Sequence, residues 1–371
     1  MRSVMFLAVV LHFLHPAWAE ENEFVIGWTG PLTGSSAVVG VDSLAAVQLA
    51  VEEFNSAAQP GAIKIRLVYE DDGYVVTRAL SAYHKLTSVD RAGVIFASTY
   101  GGVFAASQAA LRDLVLIIDT LDCNDDIAAL PANTLCLATQ TESIAEVIAA
   151  DIAASSHSDA VILLEESDGW MQFLERNIRE LLTKERVNVV TESSLPTSND
   201  YRSSLVRAKA ASATALVILG NDQMGLALKQ AADLAYNPQV YGIGSILSPG
   251  FQKLAQGKVE GAKVSSWSAA EGVRKQEFMQ AFQKKFGRTP ALELAAVPAY
   301  DAAKIVLGCV ETASSKGRLP SDEDLRRCIL DTKEYQGVSG PISFDPDGAV
   351  RTIREELYIV RNGVLTKRAS S

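Results

Sequence analysis

The sequence predicts an α/β protein of two lobes, each a mainly parallel, doubly wound sheet covered by helices on both faces. Three observations lead there. Short apolar or β-branched runs alternate with longer segments of helical period, the pattern of strands joined through covering helices. The chain has 371 residues, more than one hydrophobic core usually serves. The alternation runs once from about residue 25 to 118 and is built again from 142 to 243, so the second series reads as the first unit repeated.

Val25-Ile26-Gly27 reads as the first strand, followed by a Gly/Ser/Thr-rich loop from Thr29 to Val41. The first helix is expected to start near Asp42, whose carboxylate can cap it by accepting from exposed N–H groups. Val47, Ala50, Val51 and Phe54 fall at i, i+3, i+4 and i+7 and form its buried stripe. Strand 63–69, helix 75–87, strand 93–97, helix 101–112 and strand 114–118 follow, ahead of a long polar loop from Asp119 to Asn133. The second series is helix 142–155, strand 159–164, helix 170–184, strand 187–191, helix 201–211, strand 215–219, helix 224–234 and strand 239–243. After the segment 261–267 the pattern changes to helices near 273–286, 297–314 and 322–332. A strand at 341–344 leads into Asp345-Pro346-Asp347-Gly348, a strong turn signal. The chain ends in a hairpin turning on Asn362-Gly363, where two residues of positive φ suit the twist of the flanking strands.

Residues 1–19 combine Arg2, an apolar run from Val4 to Leu14, and Ala17-Trp18-Ala19 before Glu20, the layout of a cleavable secretory signal. The run is too short to span a bilayer, which takes roughly 20 apolar residues as a helix. Cleavage before Glu20 removes Arg2 and moves the formal net charge from −10 to −11. Such acidity, without a basic run, argues against a nucleic-acid partner and for a small molecule. Four cysteines remain, Cys123, Cys136, Cys309 and Cys328, an even number in a chain bound for an oxidising compartment. Their spacing suggests two local pairs, with free thiols as the alternative. None forms a C-x-x-C, and only His84 and His157 remain as histidines, so zinc-type ligation lacks material.

Enzyme signatures are missing: there is no G-x-S-x-G elbow, no P-loop and no G-x-G-x-x-G at a strand-to-helix turn. His84, within a helix, and His157, in a polar turn, read as surface residues. Paired acids at Asp71-Asp72, Asp125-Asp126 and Glu165-Glu166 lie near strand ends, where a carboxylate-based hydrolase would place them. Adjacent residues rarely face each other, so these are read as solvated loop carboxylates.

The run Ile26-Gly27-Trp28-Thr29-Gly30-Pro31-Leu32-Thr33-Gly34, followed by Ser43-Leu44-Ala45-Ala46, resembles the type I periplasmic binding proteins. The group it is most similar to is that of the leucine/isoleucine/valine-binding protein of ABC importers. Tyr69-Glu70-Asp71-Asp72-Gly73, Tyr300-Asp301-Ala302-Ala303 and Gly340-Pro341-Ile342-Ser343-Phe344-Asp345-Pro346-Asp347-Gly348 extend the resemblance, in order, over essentially the whole mature chain. It implies two Rossmann-like lobes joined by three hinge crossovers, lobe one being 20–139 plus 268–343 and lobe two 140–267 plus 344–371. On that map the pairs Cys123–Cys136 and Cys309–Cys328 both fall inside lobe one and leave the hinge free, and these are the disulfides expected.

The resemblance also implies a ligand set. Ser35 and Val39 belong to the loop after the first strand, and Ser98, Tyr100 and Gly101 to the turn after strand 93–97. Leu121, Asp122 and Cys123 replace a small-small-Thr segment of the family. Trp170 stands where the family has a ligand-stacking tyrosine, with a packing residue as its plainer reading, and Asn221 and Asp222 lie at a strand end of lobe two. Gly244 takes the place of the carboxylate that accepts a ligand's ammonium group. Asp122, otherwise a solvated loop acid, is the candidate replacement from the opposite lobe, with Trp170 and Tyr100 as an apolar or cation–π wall.

The function so implied is capture of a small amino-acid-like or amine ligand in the periplasm. A monomer would deliver it to an ABC permease complex in the inner membrane, without catalysis, cofactor or metal. A sensor that presents its closed form to a membrane receptor is the alternative use of the same fold.

Overall fold

A continuous apolar run such as Val94-Ile95-Phe96-Ala97 is buried at every position, which requires a strand covered on both faces. The computed structural model describes residues 23–34, 36–59, 61–155, 159–166, 169–269, 271–315 and 318–367. The expected secretory segment, Ser35 and His157 lie outside the described residues. In chain order the first body contains β1 (Glu23–Gly30), α1 (Ala37–Ala57), β2 (Lys64–Asp71), α2 (Val76–Ser88) and β3 (Val94–Ala97). It continues with α3 (Tyr100–Asp113), β4 (Leu116–Asp119), a short α4 (Asp125–Ala128) and β5 (Thr134–Cys136). Its five strands form an all-parallel sheet in the order β2-β1-β3-β4-β5.

The chain then builds α5 (Thr141–Ala154), β6 (Asp159–Glu165), α6 (Gly169–Lys184), β7 (Asn188–Ser194) and α7 (Arg202–Ala210). After these come β8 (Ala215–Leu219), α8 (Gly225–Asp233), β9 (Gln239–Gly242), α9 (Pro249–Ala255) and β10 (Lys263–Ser266). Next it returns to the first body as α10 (Val273–Phe286), α11 (Glu293–Ser314), α12 (Asp322–Leu330) and a small hairpin of β11 (Tyr335–Gly337) and β12 (Gly340–Ile342). It ends as β13 (Glu356–Arg361) and β14 (Val364–Lys367), which complete a seven-stranded sheet in the order β14-β13-β10-β9-β8-β6-β7. The pairs from β7 to β10 are parallel and the last two antiparallel.

Side chains alternate across each sheet as the pleat demands. Val94 and Phe96 join Val47 of α1 and Val306 of α11 in one core, while Ile95 and Ala97 join Tyr83 of α2 and Val103 of α3 in another. In the second body Val161 and Leu163 pack on Leu205, Leu228 and Phe251, whereas Ile162 and Leu164 pack on Ile148 and Leu174. Three segments pass between the bodies: 137–140 after β5, 267–272 after β10, and 354–355 before β13. The first is tied to the stretch that leads into the third, since Gln140 donates through its N–H to the Ile353 carbonyl and through Nε2 to that of Val350, both at 2.9 Å.

The expected α/β alternation is present, and the stripe Val47, Ala50 and Val51 is buried with Phe54 packed against the same core. The terminal turn has Asn362 at φ 52° and Gly363 at φ 75°, as its sequence requires. Cys123 is bonded to Cys136 and Cys309 to Cys328, with S–S distances of 1.96 and 2.06 Å. No helix among the described residues is long and apolar enough to cross a membrane.

Several local expectations are corrected. Helix α1 starts at Ala37, not near Asp42, and Asp42 lies buried within it. Its carboxylate instead accepts the N–H groups of Ala291 at 2.6 Å and Leu292 at 2.8 Å, just ahead of α11. Helix α11 itself begins at Glu293, four residues earlier than 297, and accommodates Pro298. The segment 119–133 is not all loop, because Asn124 caps α4 by accepting from the Ile127 N–H. Elements α9, β5 and β11 had no expected counterpart. Of the paired acids, Asp125 and Asp126 are exposed, but Asp72 and Glu165 are buried and hydrogen-bonded rather than solvated.

Candidate functional site

The loops after β1, β2, β4, β8 and β9 all leave the C-terminal ends of their strands toward one cavity between the two bodies. This is where a doubly wound sheet opens a crevice, since the chain diverges to helices on opposite faces. The cavity has a volume of about 130 Å³.

One wall belongs to the five-stranded body. Val38 and Val39 come from the first turn of α1, Tyr74 from the turn after β2, Leu121 and Asp122 from the loop after β4, and Leu292 and Leu294 from the start of α11. Hydrogen-bonded carboxyl groups fix these loops. Asp71 accepts from the Leu32 N–H (2.8 Å), Thr33 Oγ1 (2.6 Å) and the Gly73 N–H (2.9 Å). Against the desolvation of the carboxyl, those bonds hold it at about 2. Asp72 accepts from Thr29, Thr99 and the Tyr74 N–H at 2.8 Å, which holds Tyr74 in the left-handed region at φ 62°. Burial pushes the Asp72 carboxyl above its ordinary range, and the same hydrogen bonds oppose that push. Asp119 Oδ1 accepts the N–H groups of Leu121 and Asp122, both at 2.9 Å, and the Cys123–Cys136 bond clamps the chain one residue further on. Burial pushes the Asp119 carboxyl up to about 7, the two backbone bonds opposing it.

The facing wall belongs to the seven-stranded body. Trp170 and Met171 open α6, Asn221 and Asp222 follow β8, and Ile243 to Ser245 follow β9. Trp170 donates from Nε1 to Thr141 Oγ1 at 3.2 Å, which sets the plane of the indole. Glu165 accepts the Asn221 N–H at 3.1 Å and its Nδ2 at 3.2 Å. Asp222 accepts from Ser248 Oγ, the hydroxyl that also caps α9.

Thr139 of the first interbody segment, Ile144 of α5 and Glu355 of the third segment close the floor. Glu355 is 7% exposed. Burial pushes its carboxyl up to about 7, with the Ser265 and Thr139 hydroxyls pulling the other way. The walls meet: Tyr100 packs against Gly169, Arg176 reaches Asp126 at 3.8 Å, and Leu294 lies over Gly244. A Cβ at position 244 would fall 3.2 Å from Leu294 Cδ2. A side chain at 244 would therefore require the end of Leu294 to shift by a few tenths of an ångström.

Of the positions expected at the site, Val39, Leu121, Asp122, Trp170, Asn221, Asp222 and Gly244 line the cavity together. Ser35 is outside the described residues, and its neighbour Ser36 is at the cavity. Four others lie behind the wall. The Ser98 hydroxyl joins those of Ser43 (3.0 Å) and Thr120 (3.3 Å) in a buried network. Gly101 faces Val76, so closely that a Cβ there would be 2.5 Å from Val76 Cγ2. Cys123 is in its disulfide, and Tyr100 packs with Phe104 and Trp170 around that disulfide. Sequence reasoning missed Tyr74, Thr139, Met171, Leu292, Leu294 and Glu355. The apolar members carry no signal that separates a cavity wall from a core, and Glu355 sits between Arg354 and Glu356 in what reads as an exposed stretch.

The lining is apolar apart from a few polar groups, and its acidic members are Asp122, Asp222 and Glu355. No Lys, Arg or His lines it among the described residues. An arrangement of this kind can enclose a small molecule and solvate a cationic or hydroxyl-bearing head, while charge repulsion disfavours an anionic one.

Solved structures share this architecture. The chain superposes on the leucine-binding protein LivK of Thermotoga maritima with a TM-score of 0.83, 19% identity, and coverage of 93% of this chain and 98% of that one. For the branched-chain amino acid transporter substrate-binding protein LivJ of Streptococcus pneumoniae, in complex with isoleucine, the values are 0.81, 19%, 93% and 98%. For a solute-binding protein of an ABC transporter from Rhodopseudomonas palustris, in complex with 3,4-dihydroxybenzoic acid, they are 0.78, 20%, 93% and 95%. At these identities the likeness speaks for the fold, the type I periplasmic binding protein fold. No curated protein matches the chain by sequence. The sequence profile of the family described as periplasmic binding protein matches residues 23–362, nearly the whole described chain, and the protein belongs to that family.

Proposed function

We propose that this protein is a periplasmic solute-binding protein that captures a small amino-acid-like or amine ligand with an apolar body and delivers it to an ABC importer. It acts as a monomer and catalyses nothing. The two bodies serve as its lobes, 20–139 plus 268–353 and 140–267 plus 354–371, which moves the expected last boundary from 343 to 353. The third hinge segment is drawn at Arg354–Glu355, because Phe344, Val350 and Ile353 pack into the core of the first lobe. The ligand lies between the walls and biases the hinge toward the closed form, which an importer recognises.

The observation that carries this reading is the lining of the cavity: apolar walls, three carboxyl groups and no cationic side chain among the described residues. The two ligand-bound relatives differ, one holding isoleucine and the other an aromatic acid. Facing carboxylates favour the head group with an ammonium. Asp122 from one wall stands in for the acceptor that Gly244 lacks on the other.

A thermal-shift panel of amino acids, amines and aromatic acids tests the reading. A ligand that binds only the native state stabilises it by about 2.7 kcal/mol at a hundredfold excess over its Kd. Shifts confined to amine-bearing compounds with apolar bodies are expected. Shifts confined to aromatic or aliphatic acids contradict the proposed ligand class.

A further inference from the structure

Glu355 has a position that none of the other acids at the cavity shares. It lies on the third interbody segment, directly before β13, and lines the cavity floor. Its carboxyl accepts from Ser265 Oγ, in the last strand before the second interbody segment, and from the Thr139 hydroxyl in the first. Its own N–H donates to Ser143 Oγ of α5 at 2.9 Å. One buried carboxyl thus sits on the third connection, touches the first and the strand that leads into the second, and also lines the space where a ligand would sit.

That placement has a chemical meaning. A hinge pin alone needs no ionisable group, since an amide accepts the same two hydroxyls. A carboxyl at the floor of an apolar cavity, with no cationic partner among the described lining residues, is suited to a donor that arrives with the ligand. We propose that Glu355 is a specificity-determining contact, receiving the ligand's ammonium or hydroxyl head at the cleft floor and tying that contact to the first and third hinge segments and to the strand that leads into the second. This rests on the amine-ligand reading above. An ammonium stabilises the carboxylate form that burial disfavours, so occupancy and ionisation of Glu355 are linked.

The groups around Glu355 leave that linkage readable. On β13, which directly follows it, Glu356 pairs with Lys367 and Tyr358 is a further titratable neighbour. On α5, Glu142 accepts the Asp125 N–H and Glu146 pairs with Arg354, while Lys263 of β10 pairs with Asp151. Asp122 and Asp222 face it across the cavity.

The test is calorimetry with three probes of one carbon skeleton: isoleucine, 2-methylbutylamine, which lacks the carboxylate, and 3-methylpentanoate, which lacks the amine. The parent is expected to bind the two amines, and Glu355→Gln to bind them about tenfold or more weakly, the scale of one hydrogen bond to a charged group. The amine stays protonated between about pH 5.5 and about pH 8. Over that range the parent should bind 2-methylbutylamine about tenfold more tightly at the upper end, and Glu355→Gln should lose this dependence. The pH series on the parent needs no variant to fold. Amine binding that Glu355→Gln keeps at full strength, or a flat pH series in the parent, overturns this proposal alone. A parent that binds only 3-methylpentanoate, or none of the three, overturns the amine reading and this proposal with it.

Discussion

The wall from the five-stranded body and the wall from the seven-stranded body face one cavity but are held in place by different means. On the first, Asp71, Asp72 and Asp119 each gather two or three donors from neighbouring loops, and the Cys123–Cys136 bond closes the segment that carries Asp122. On the second, Asn221 hangs on Glu165 and Asp222 on Ser248, with no cysteine in that body. The first wall is built to present a charged group at a fixed point. The second is built around a half-buried indole and side chains of Met171 and Ile243, which adapt to an apolar body.

The largest expected effect sharpens this contrast through the disulfides. Both bonds lie in the first body and close short loops, with sequence separations of 13 and 19 residues. The chain-entropy model assigns about 3 kcal/mol of stability to each. Replacing either pair by serine should lower the denaturation midpoint by similar amounts. Only Cys123→Ser with Cys136→Ser should also weaken amine binding, because Cys123 directly follows Asp122 of the cavity wall, whereas Cys309 and Cys328 join α11 and α12 behind it. Equal affinity in both double variants would break the link between clamp and site.

The next effect is on stability against pH. Glu355 and Asp119 have folded-state values raised to about 7 from 4.5 and 3.8, so their contribution is full at low pH and is lost as pH rises through about 7. Asp71, lowered to about 2 from 3.8, has the opposite sign, and its contribution is lost as pH falls from 3.8 toward 2. Thermal melts from pH 4 to pH 8 should show the unliganded protein losing stability on this rising limb, and Glu355→Gln should flatten it. A parent that gains stability over the same interval would contradict the burial of these acids.

Trp170→Ala probes the adaptable wall. On the proposed reading the indole is a face for a cationic head, worth about 0.5–2 kcal/mol depending on desolvation, so calorimetry should show a weakening of roughly twofold to thirtyfold. Folding should be much less affected, since Trp170 is half-buried rather than part of the core. A loss of stability without a loss of affinity would make Trp170 a packing residue.

How much of this was legible in the sequence depends on how local the physics was. Parallel strands covered on both faces follow from apolar runs between helical segments, and the Asn362-Gly363 turn from its two residues alone. Asp42 was misread because capping preference looks only along its own helix, whereas its partners Ala291 and Leu292 lie about 250 residues away in the chain. Glu355 was invisible for the same reason. Its neighbours Arg354 and Glu356 make the stretch look exposed, and its burial is created by Ser265, 90 residues earlier, and by Thr139. Gly244 and Asp122 were legible as a pair only through the resemblance. The part played by Leu294, which occupies the space above Gly244, emerges only when the two walls are brought together.

The central claim is that a fixed acid on the first wall, acting with Glu355 on the floor and not with a feature of the second wall, decides which head group the cleft accepts. Calorimetry of Asp122→Asn against 2-methylbutylamine and 3-methylpentanoate tests it most directly, because the substitution removes the charge while keeping the shape of the side chain. The account predicts that amine affinity falls by about tenfold, the scale of a hydrogen bond to a charged group, while the acid binds no worse or better than before. Amine affinity equal to that of the parent would contradict it.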